Sequence, residues 1–569
     1  MQGQENLFPR MKFEYTEDEI IRDIQIGREG DFVSTKVKFQ DKEFNDIRDW
    51  WKTYLSQDQQ TKVKAWSGKG KELNVAELFS GPGGLAQGVK TFCDDIGVKF
   101  QSIAALDMNR DALRVYERNH KTQHRASVSD TDWESHKGDV TKLVTGEWKN
   151  PKVFKRLVDT HKEKGRTFTS DNDWKILKES HRGLIEDWKK KTEKDKKVET
   201  RPTLSMQEID ADYKQNKPTI NKDGPWKQFK RDAFDLLLAG PPCQGHSNLN
   251  NHTRRDDEKN ELYLIVPAVA IAWNIPLVII ENVEGVIHDV SGVVQQTEGI
   301  FKANGYKVER GVLNAAKMGW PQTRKRYFLI ARKKGAPIAI KTVMESFSIP
   351  EKSTPLTVRH AIEDLMEEKI FTRGDKRITD HMLTIPNYSD KEIARAKYHT
   401  AGQRKTKKAA VEMLRDAFLA EHKKNNYQNL SESRIKENFK IAAEEIEERF
   451  TELNADWNLP TRLHNETHWE ATSYPTVYGR LDWDMPSGTI TSGYMCSGRG
   501  RFTHPKQART LTPREAARLQ GFPDSYDWKP EDDRIPSATD IAQWIGDAVP
   551  MPLGYAAAYS VLGNGLDFK

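Results

Sequence analysis

Short apolar runs alternate with segments of helical spacing between Leu73 and Arg332. The run LNVAELF (73–79) leads directly into the glycine-rich turn SGPGG, and a second run, FQSIAALD (100–107), lies between two segments of helical spacing. The pattern resumes with FDLLLAG, PLVIIENV and RYFLIAR, each apolar and closed by glycine or polar residues. Because strands that alternate with helices build parallel sheets, the pattern predicts an α/β fold with a doubly wound, Rossmann-like sheet.

Other parts of the chain have a different texture. Residues 1–70 are polar, and EDEIIRDI and FNDIRDWWKTYL have helical spacing, so we predict an N-terminal helical extension. A lysine-dense insertion spans about 144–230. Charged segments at 392–424 and 432–454 predict amphipathic helices within a separate, smaller domain at 341–475. The sheet texture covers 71–340, and mixed texture over 476–569 predicts a C-terminal return to the core.

Composition excludes several classes of protein. No run of 18 apolar residues is present and the N-terminus has no apolar signal core, so we expect no membrane span and a cytoplasmic location. Three scattered cysteines are too few for a disulfide framework or a zinc site, and we expect no metal. The net charge of +6 is small for 569 residues. It permits a phosphate-backbone partner without indicating one.

The insertion carries a net positive charge. Lys149 to Arg231 contains 23 lysines and arginines against 14 aspartates and glutamates. A solvated helical face or a loop explains such a run. A clamp on nucleic-acid phosphates is the alternative interpretation.

The turn after the first strand is typical of a nucleotide site. Glycines allow the backbone to approach a ligand, and a following helix N-terminus favours negative charge. The next strand ends at Asp107, where doubly wound folds place a carboxylate for ribose hydroxyls. Asp139, in GDV, can accept a hydrogen bond from an exocyclic amine. These features predict an adenosine-bearing cofactor, but a dehydrogenase would share the first two.

Two further strands end in residues suited to catalysis. Cys243 follows FDLLLAG in GPPCQG, where ligands of α/β sheets bind and where two prolines stiffen the approach. A lone cysteine is more often structural, but this position favours a nucleophile. Glu281 closes PLVIIENV at the same predicted edge and could hydrogen-bond a heterocycle. The polar segment 246–260 after Cys243 indicates a loop that could close over a substrate.

The segment PQTRKR (321–326) precedes the strand YFLIAR. Alternate residues of an extended segment share a face, so we expect Gln322, Arg324 and Arg326 to point together. Their planar donors suit a base carbonyl, a carboxylate or a phosphate. A plain solvated basic stretch is the alternative.

In their order, these motifs resemble the cytosine carbon-5 DNA methyltransferase family, of the bacterial restriction-modification type. The resemblance rests on ELFSGPGG, GDV, GPPCQG, IENV, PQTRKR, RTLTPREAARLQGFP and IGDAVP, and covers 73–332 and about 478–563. It implies an S-adenosylmethionine-dependent methyltransferase core with a target recognition domain at 341–475.

The resemblance also implies roles for particular residues. Cys243 would attack carbon 6 of a flipped cytosine, Glu281 would contact ring nitrogen 3, and Arg326 would bind the ring carbonyl, with Arg324 and Gln322 bracing the pocket. The residues implied in S-adenosyl-L-methionine binding are Phe79, Gly81, Gly83, Gly84, Asp107, Met108, Asp139, Val140, Leu262, Asp547 and Val549. Those implied in substrate or DNA contact are Gln244, Ser247, Arg254, Arg255 and Gln322.

Some positions depart from the family pattern. Glu77 stands where an aspartate is usual, and we expect no consequence. His246 replaces a common aromatic residue. Asp547 replaces the usual asparagine near the methionine end of the cofactor, where a carboxylate would favour the amino group yet repel the carboxylate. No base-reading residues can be assigned within 341–475, because direct readout needs specific donors in the major groove.

We therefore expect a DNA (cytosine-5-)-methyltransferase acting on double-stranded DNA, as a monomer in the bacterial cytoplasm, with or without a cognate restriction endonuclease. A tRNA cytosine methyltransferase is an alternative with the same pocket. A non-catalytic DNA-binding protein is another, although the intact Cys243, Glu281 and Arg326 set argues against it. A nicotinamide-dependent dehydrogenase would give no reason for GPPCQG or QTRKR.

Overall fold

Contacts between residues group the chain into two compact units. The computed structural model describes residues 11–15, 19–25, 32–38, 47–54, 71–121, 137–146, 217–242, 262–288, 293–349, 355–373, 375, 380–388, 479–532 and 534–563. The larger of the two units, which we call the sheet unit, comprises Gln57–Asn314, Lys325–Phe347 and Val549–Lys569. The second unit takes Met1–Ser56, Ala315–Arg324 and Ser348–Ala548. The predicted C-terminal return is therefore divided at Ala548.

The N-terminal segment begins with a three-stranded antiparallel sheet in the order β1–β2–β3. Its strands are β1 (Met11–Tyr15), β2 (Glu19–Gln25) and β3 (Phe32–Lys38). The helix predicted over EDEIIRDI is therefore wrong, because β2 pairs with a strand on each side. A segment this short is marginal as an isolated helix, so strand pairing can decide its form. The helix predicted in FNDIRDWWKTYL is confirmed as α1 (Ile47–Tyr54).

A six-stranded mixed sheet forms the centre of the sheet unit, in the order β10–β11–β9–β8–β4–β5. Its strands are β4 (Glu72–Leu78), β5 (Lys99–Leu106), β8 (Leu236–Ala239), β9 (Leu277–Asn282), β10 (Lys307–Asn314) and β11 (Lys325–Arg332). A two-stranded pair, β6 (Val144–Thr145) and β7 (Thr219–Ile220), lies outside it. The predicted α/β sheet is confirmed.

The strand order reverses at β4. This strand pairs in parallel with β5 on one side and with β8 on the other, and β8 pairs in parallel with β9. Strands β11 and β10 extend the sheet in antiparallel register. In open α/β sheets, ligands bind outside the carboxyl ends of strands at such a switch point. The topology therefore places the candidate site at the ends of β4, β5, β8 and β9.

Helices cover both faces of this sheet. They are α2 (Gly84–Asp95), α3 (Arg110–His120), α4 (Ile265–Ala272), α5 (Val293–Ala303), α6 (Ile340–Phe347) and, from the C-terminus, α10 (Met551–Leu562). All eight residues of α4 are apolar and buried. Helices α2 and α10 approach each other closely at Gly88. A Cβ at this position would lie 2.5 Å from the Met551 carbonyl oxygen, so a larger residue would not fit.

The second unit contains α7 (Val358–Ile362), the short strands β12 (Phe371–Thr372) and β13 (Thr384–Ile385), and the helices α8 (Pro513–Gln520) and α9 (Ala538–Asp547). Helix α8 begins with a capping box between Thr512 and Glu515. The Trp51 indole of α1 donates to the Met318 carbonyl at 2.6 Å. The amphipathic helices predicted at 392–424 and 432–454 lie outside the described residues, as does most of the predicted recognition domain.

None of the helices in the described ranges is long and apolar enough to cross a membrane.

Candidate active site

The turn after β4 lies beside the carboxyl end of β5. Phe79, Gly81 and Gly83 have φ values of 56°, 51° and 96°, in the left-handed region. That path lets the Gly81 amide donate to Asp107 Oδ2 at 2.8 Å. The predicted pairing of the glycine turn with Asp107 is therefore present in the structure.

The glycines of this turn are needed for different reasons. A Cβ on Gly83 would lie 2.4 Å from His120 Nε2 and 2.8 Å from the Tyr116 ring, so side-chain packing excludes any larger residue. Within the described part of the chain, a Cβ on Gly81 would meet nothing within 4 Å, which leaves space beside its backbone. Burial, with a smaller effect of Lys90, lowers the pKa of His120 to about 3, so the turn packs on a neutral imidazole.

The acidic groups predicted to hold adenosine are anchored by backbone amides. Asp107 Oδ1 also accepts from the Asn109 amide at 2.7 Å, which fixes the orientation of the carboxylate. Asp139 begins the short 3-10 helix Val140–Lys142 and accepts from the Thr141 amide and hydroxyl through Oδ1, at 2.8 and 2.7 Å. Met108 is an apolar side chain that is 64% exposed. An apolar surface therefore lies next to the Asp107 carboxylate.

Glu77 is buried beneath the same turn. Desolvation raises its pKa to about 8, a nearby negative charge on Asp107 adds to the effect, and a hydrogen bond with Tyr116 opposes it. Glu77 is therefore protonated at neutral pH, and its Oε2 has no hydrogen-bond partner among the residues that the structure describes. The protonation state of Glu77 depends on its burial, which sequence spacing does not encode.

The end of β8 leads towards the predicted nucleophile. The Gly240 amide donates to the Leu78 carbonyl at 3.3 Å, and a Cβ on Gly240 would lie 3.7 Å from Glu281 Oε2. Pro241 and Pro242 are the last residues described before a gap. Cys243 lies outside the described residues, as do Gln244, Ser247, Arg254 and Arg255.

Glu281 and Arg326 form an ion pair at the ends of adjacent strands. Arg326 Nε lies 2.7 Å from Glu281 Oε1, and the two side chains are 14% and 10% exposed. Glu281 is opposite Phe328 in the antiparallel register of β9 and β11. Because alternate residues of a strand share a face, Arg326 points to the same side as Phe328 and Glu281. The sheet register therefore joins two residues that are 45 positions apart in the chain.

Asn282 was not predicted as a functional residue. Its side-chain amide donates to the Pro241 carbonyl at 3.2 Å, and its Oδ1 accepts from the Val283 amide at 2.8 Å. Asn282 thus ties the end of β9 to the prolines that precede Cys243. Its place directly after Glu281 in the chain was the available signal.

Gln322 and Arg324 do not share the surroundings of Arg326. Both are buried in the second unit: Arg324 Nη1 donates to the carbonyls of Ile490 and Gly546, at 2.6 and 2.9 Å. Gln322 Nε2 donates to the Leu519 carbonyl at 3.0 Å. The expectation that the three side chains point together is wrong, because β11 begins only at Lys325 and the residues before it follow another path. Arg324 and Gln322 therefore connect segments within the second unit, and their predicted role in bracing the pocket stays a prediction.

Comparison with known proteins identifies the family. The family model described as "C-5 cytosine-specific DNA methylase" matches residues 204–562. The Type II methyltransferase M1.BsuMI of Bacillus subtilis (strain 168) is 30% identical over 490 residues, which cover 86% of this chain and 80% of that protein. The Type II methyltransferase M.AgeI of Thalassovita gelatinovora is 27% identical, over 62% of this chain and 91% of that protein.

The chain belongs to the C-5 cytosine-specific DNA methylases. The predicted family, its restriction-modification type and the DNA (cytosine-5-)-methyltransferase activity are confirmed by these matches. A methyl donor is implied by the family. The dehydrogenase hypothesis is thereby excluded.

The remaining predicted cofactor residues of this methylase differ in their surroundings. Leu262 is partly buried and packs on the core of the sheet unit, next to the buried Tyr263. Val549 is buried in the same unit, at the start of the segment that leads into α10. Asp547 is exposed, and it is the last residue of α9 in the second unit. No cluster of three or more His, Cys, Asp or Glu side chains in the described ranges could hold a metal ion.

Proposed function

We propose that this methylase transfers a methyl group to carbon 5 of a cytosine flipped out of duplex DNA, with Cys243 as the nucleophile. The observation that carries the proposal is the Glu281–Arg326 pair, 2.7 Å apart at the sheet edge where the chain runs through Gly240 and Pro241 towards Cys243. The Asn282 bond to Pro241 supports it, since it couples the strand that carries Glu281 to the segment that precedes Cys243 in the chain.

The chemistry explains why these residue types are needed. Carbon 5 of cytosine is a poor nucleophile. Addition of the Cys243 thiolate to carbon 6 forms a sulfur–carbon bond and makes carbon 5 electron-rich, as in an enamine. Glu281 stabilises the proton held at ring nitrogen 3, and Arg326 donates to the ring carbonyl. Carbon 5 then accepts the methyl group. Loss of the carbon-5 proton to solvent returns the electron pair, breaks the sulfur–carbon bond and restores the thiolate.

The residues at the switch point fit S-adenosylmethionine, which would supply a methyl group activated by a sulfonium. The space beside Gly81 allows a ligand to approach its backbone. Asp107 is held by two amides and keeps acceptor capacity for ribose hydroxyls. Asp139 is bound through Oδ1, so its second oxygen is suited to an exocyclic amine. The exposed Met108 and the left-handed Phe79 supply apolar surface for the ring.

A cytosine stacked in a duplex cannot reach such an edge, so the base must leave the helix. We infer that the segment 246–261 closes over it, with Gln244, Ser247, Arg254 and Arg255 contacting DNA. Residues 341–475 would supply the recognition domain. The similarity to Type II methyltransferases supports action beside a cognate endonuclease, and we propose a monomer in the bacterial cytoplasm.

Replacement of the thiol tests the proposal. Cys243→Ala is expected to lower methyl transfer to duplex DNA at least about a thousandfold, while binding of S-adenosylmethionine by calorimetry persists. Cys496→Ala is the matched control, because Cys496 is an exposed free thiol in the second unit. Unchanged turnover in Cys243→Ala would contradict the mechanism.

Two further measurements define the substrate. Parallel assays on duplex DNA and tRNA distinguish the two cytosine substrates, and methylation of tRNA alone would overturn the proposal. Bisulfite sequencing of DNA from cells that express the protein then reports the modified base and its sequence context.

A further inference from the structure

A cluster of positive side chains lies at the edge of the sheet unit opposite the candidate active site. We call Lys217, Arg231 and Lys333 the basal cluster. Arg231 and Lys333 come from segments that meet where strands begin: the Asp232 amide donates to the Trp273 carbonyl at 2.8 Å, and the Lys333 amide to the Pro276 carbonyl at 2.9 Å. Trp273 and Pro276 lie between α4 and β9, so this is the edge where β9 enters the sheet.

The distance from the active site follows from strand length. Glu281 is four residues after Leu277, the first residue of β9. At about 3.3 Å per residue, the ends of this path are separated by about 13 Å, and the basal cluster lies beyond the Leu277 end. Arg231 and Lys333 therefore do not belong to the cytosine pocket.

The basal cluster lies at the stem of the basic insertion. Strands β6 and β7 pair in antiparallel register, with Val144 opposite Ile220 and Thr145 opposite Thr219. Asn221 reinforces this stem, since its side-chain amide donates to the Lys142 carbonyl at 2.7 Å. Lys217 thus stands where the insertion rejoins the sheet unit, and the insertion itself carries a net positive charge in sequence.

Neighbouring groups hold two of the three cations in place. Arg231 Nη1 donates to the Ala272 carbonyl at 3.2 Å, at the C-terminal end of α4, where the helix dipole favours a cation. Lys333 Nζ lies 5.1 Å from the centre of the Tyr306 ring and also donates to Asn274 Oδ1. The positions of these two charges are therefore determined by the fold.

The arrangement has an electrostatic cost. Partial burial lowers the pKa of Lys333, and the positive charges of Arg231 and Lys217 lower it further. In the described part of the chain, Asp232 is the carboxylate that opposes this effect. Asp232 also accepts from the Asn274 side chain at 2.5 Å. Three cations with one nearby carboxylate leave a net positive surface, which a bound polyanion would stabilise.

We propose that the basal cluster binds the phosphate backbone of a stretch of duplex DNA outside the stretch that enters the active site. The inference rests on the proposed function only in taking duplex DNA as the partner. DNA is favoured because it presents a negative charge about every 1.7 Å along its axis, and neutralised phosphates release counterions. The contact would be independent of sequence and would increase affinity for long duplexes.

The test compares two variants of equal net charge. Lys217→Glu with Arg231→Glu reverses two charges of the basal cluster. Lys121→Glu with Lys341→Glu reverses two exposed lysines on other elements of the same unit, after α3 and in α6. Binding of each full-length variant to a duplex of about 40 base pairs is measured by fluorescence anisotropy between about 50 and 200 mM salt.

The cluster variant is expected to bind at least tenfold more weakly at the lowest salt. Its slope of log affinity against log salt is expected to be shallower by about 2, since each lost phosphate contact removes about 0.9. Methyl transfer at saturating DNA is expected to stay within twofold of wild type in both variants, and the control variant should keep the wild-type slope.

Equal affinities and slopes in the two variants would overturn the inference while leaving the proposed function intact. A cluster variant that loses binding to single-stranded RNA or to an acidic polypeptide, but not to the duplex, would also overturn it and assign the surface to that partner. Loss of turnover in Cys243→Ala is independent of all these outcomes, so failure of the two proposals can be distinguished.

Discussion

Two pairs of arginine and glutamate occupy different regions of this methylase and differ in geometry. In the sheet unit, Arg326 Nε lies 2.7 Å from Glu281 Oε1 at a strand edge, where Glu281 is buried and Arg326 is half-buried. In the second unit, Arg509 meets Glu515 through two contacts of 2.7 Å, and both side chains are buried. We call Glu281 with Arg326, at the sheet edge, the open pair. We call Arg509 with Glu515, inside the second unit, the closed pair.

The closed pair makes its hydrogen bonds with other buried groups of the protein. Glu515 also accepts from the Thr512 amide at the start of α8, and the charges of Arg509 and His504 outweigh desolvation, so the pKa of Glu515 falls to about 2. Removing one partner of such a pair leaves a buried charge uncompensated. The open pair keeps its side chains at the edge where a base can approach. We therefore expect stability to depend on the closed pair and catalysis on the open one.

The largest expected effect is on catalysis. Glu281→Gln is expected to lower methyl transfer by about 10²- to 10⁴-fold, because the amide cannot stabilise a proton at ring nitrogen 3 as a carboxylate does. Single-turnover methylation of duplex DNA measures it, and thermal denaturation should show a melting temperature close to wild type. A fully active Glu281→Gln protein would remove Glu281 from the mechanism.

The closed pair gives the largest expected effect on stability. Glu515→Gln is expected to destabilise the fold by about 3–5 kcal/mol, measured by urea denaturation. Because the folded-state pKa of Glu515 lies below its ordinary value of 4.5, the stabilisation is present above about pH 4.5 and is lost as the pH falls towards 2. The difference between variant and wild type should therefore shrink in that window. A difference that is constant between pH 7 and pH 3 would argue against this account.

Arg324 and Arg326 sharpen the comparison within one motif. Arg326→Lys is expected to lower kcat/KM for duplex DNA about tenfold to a hundredfold, since lysine lacks the planar fork of donors. Arg324→Lys is expected to cost about 1–3 kcal/mol of stability, because two buried carbonyls lose a donor, and to leave turnover of the folded enzyme near wild type. The reverse assignment, in which Arg324→Lys alone impairs turnover at unchanged stability, would show that Arg324 contacts the substrate.

The effect expected at Glu77 depends on pH. The folded-state pKa of Glu77, about 8, exceeds the ordinary value of 4.5. The free energy of unfolding of the wild type therefore falls as the pH rises from 4.5 through 8, while that of a variant with a neutral side chain lacks this decrease. Glu77→Gln should therefore become the more stable protein as the pH increases. Melting temperatures of both proteins at pH 5, 7 and 8.5 measure the trend, and parallel curves would show that Glu77 is not protonated in the fold.

The sequence by itself determined the sheet and the order of its chemistry. Apolar runs that end in glycine or acidic residues specified β4, β5, β8 and β9, because a buried parallel strand needs continuous apolar sequence and its carboxyl end carries the site. The same reasoning was wrong for EDEIIRDI. In that segment helical and extended spacing are both compatible with the apolar positions, and pairing with β1 and β3 decided the outcome.

Only the tertiary structure decided which of two similar side chains lies beside Glu281 at the sheet edge. Gln322, Arg324 and Arg326 alternate in sequence, but β11 begins only at Lys325. Arg324 therefore belongs to the second unit, whereas Arg326 lies on β11 in the sheet unit. The role of Asn282, the protonation of Glu77 and the grouping of Lys217 with Arg231 and Lys333 are of the same kind. Each depends on distance and burial between residues far apart in the chain, which local spacing does not encode.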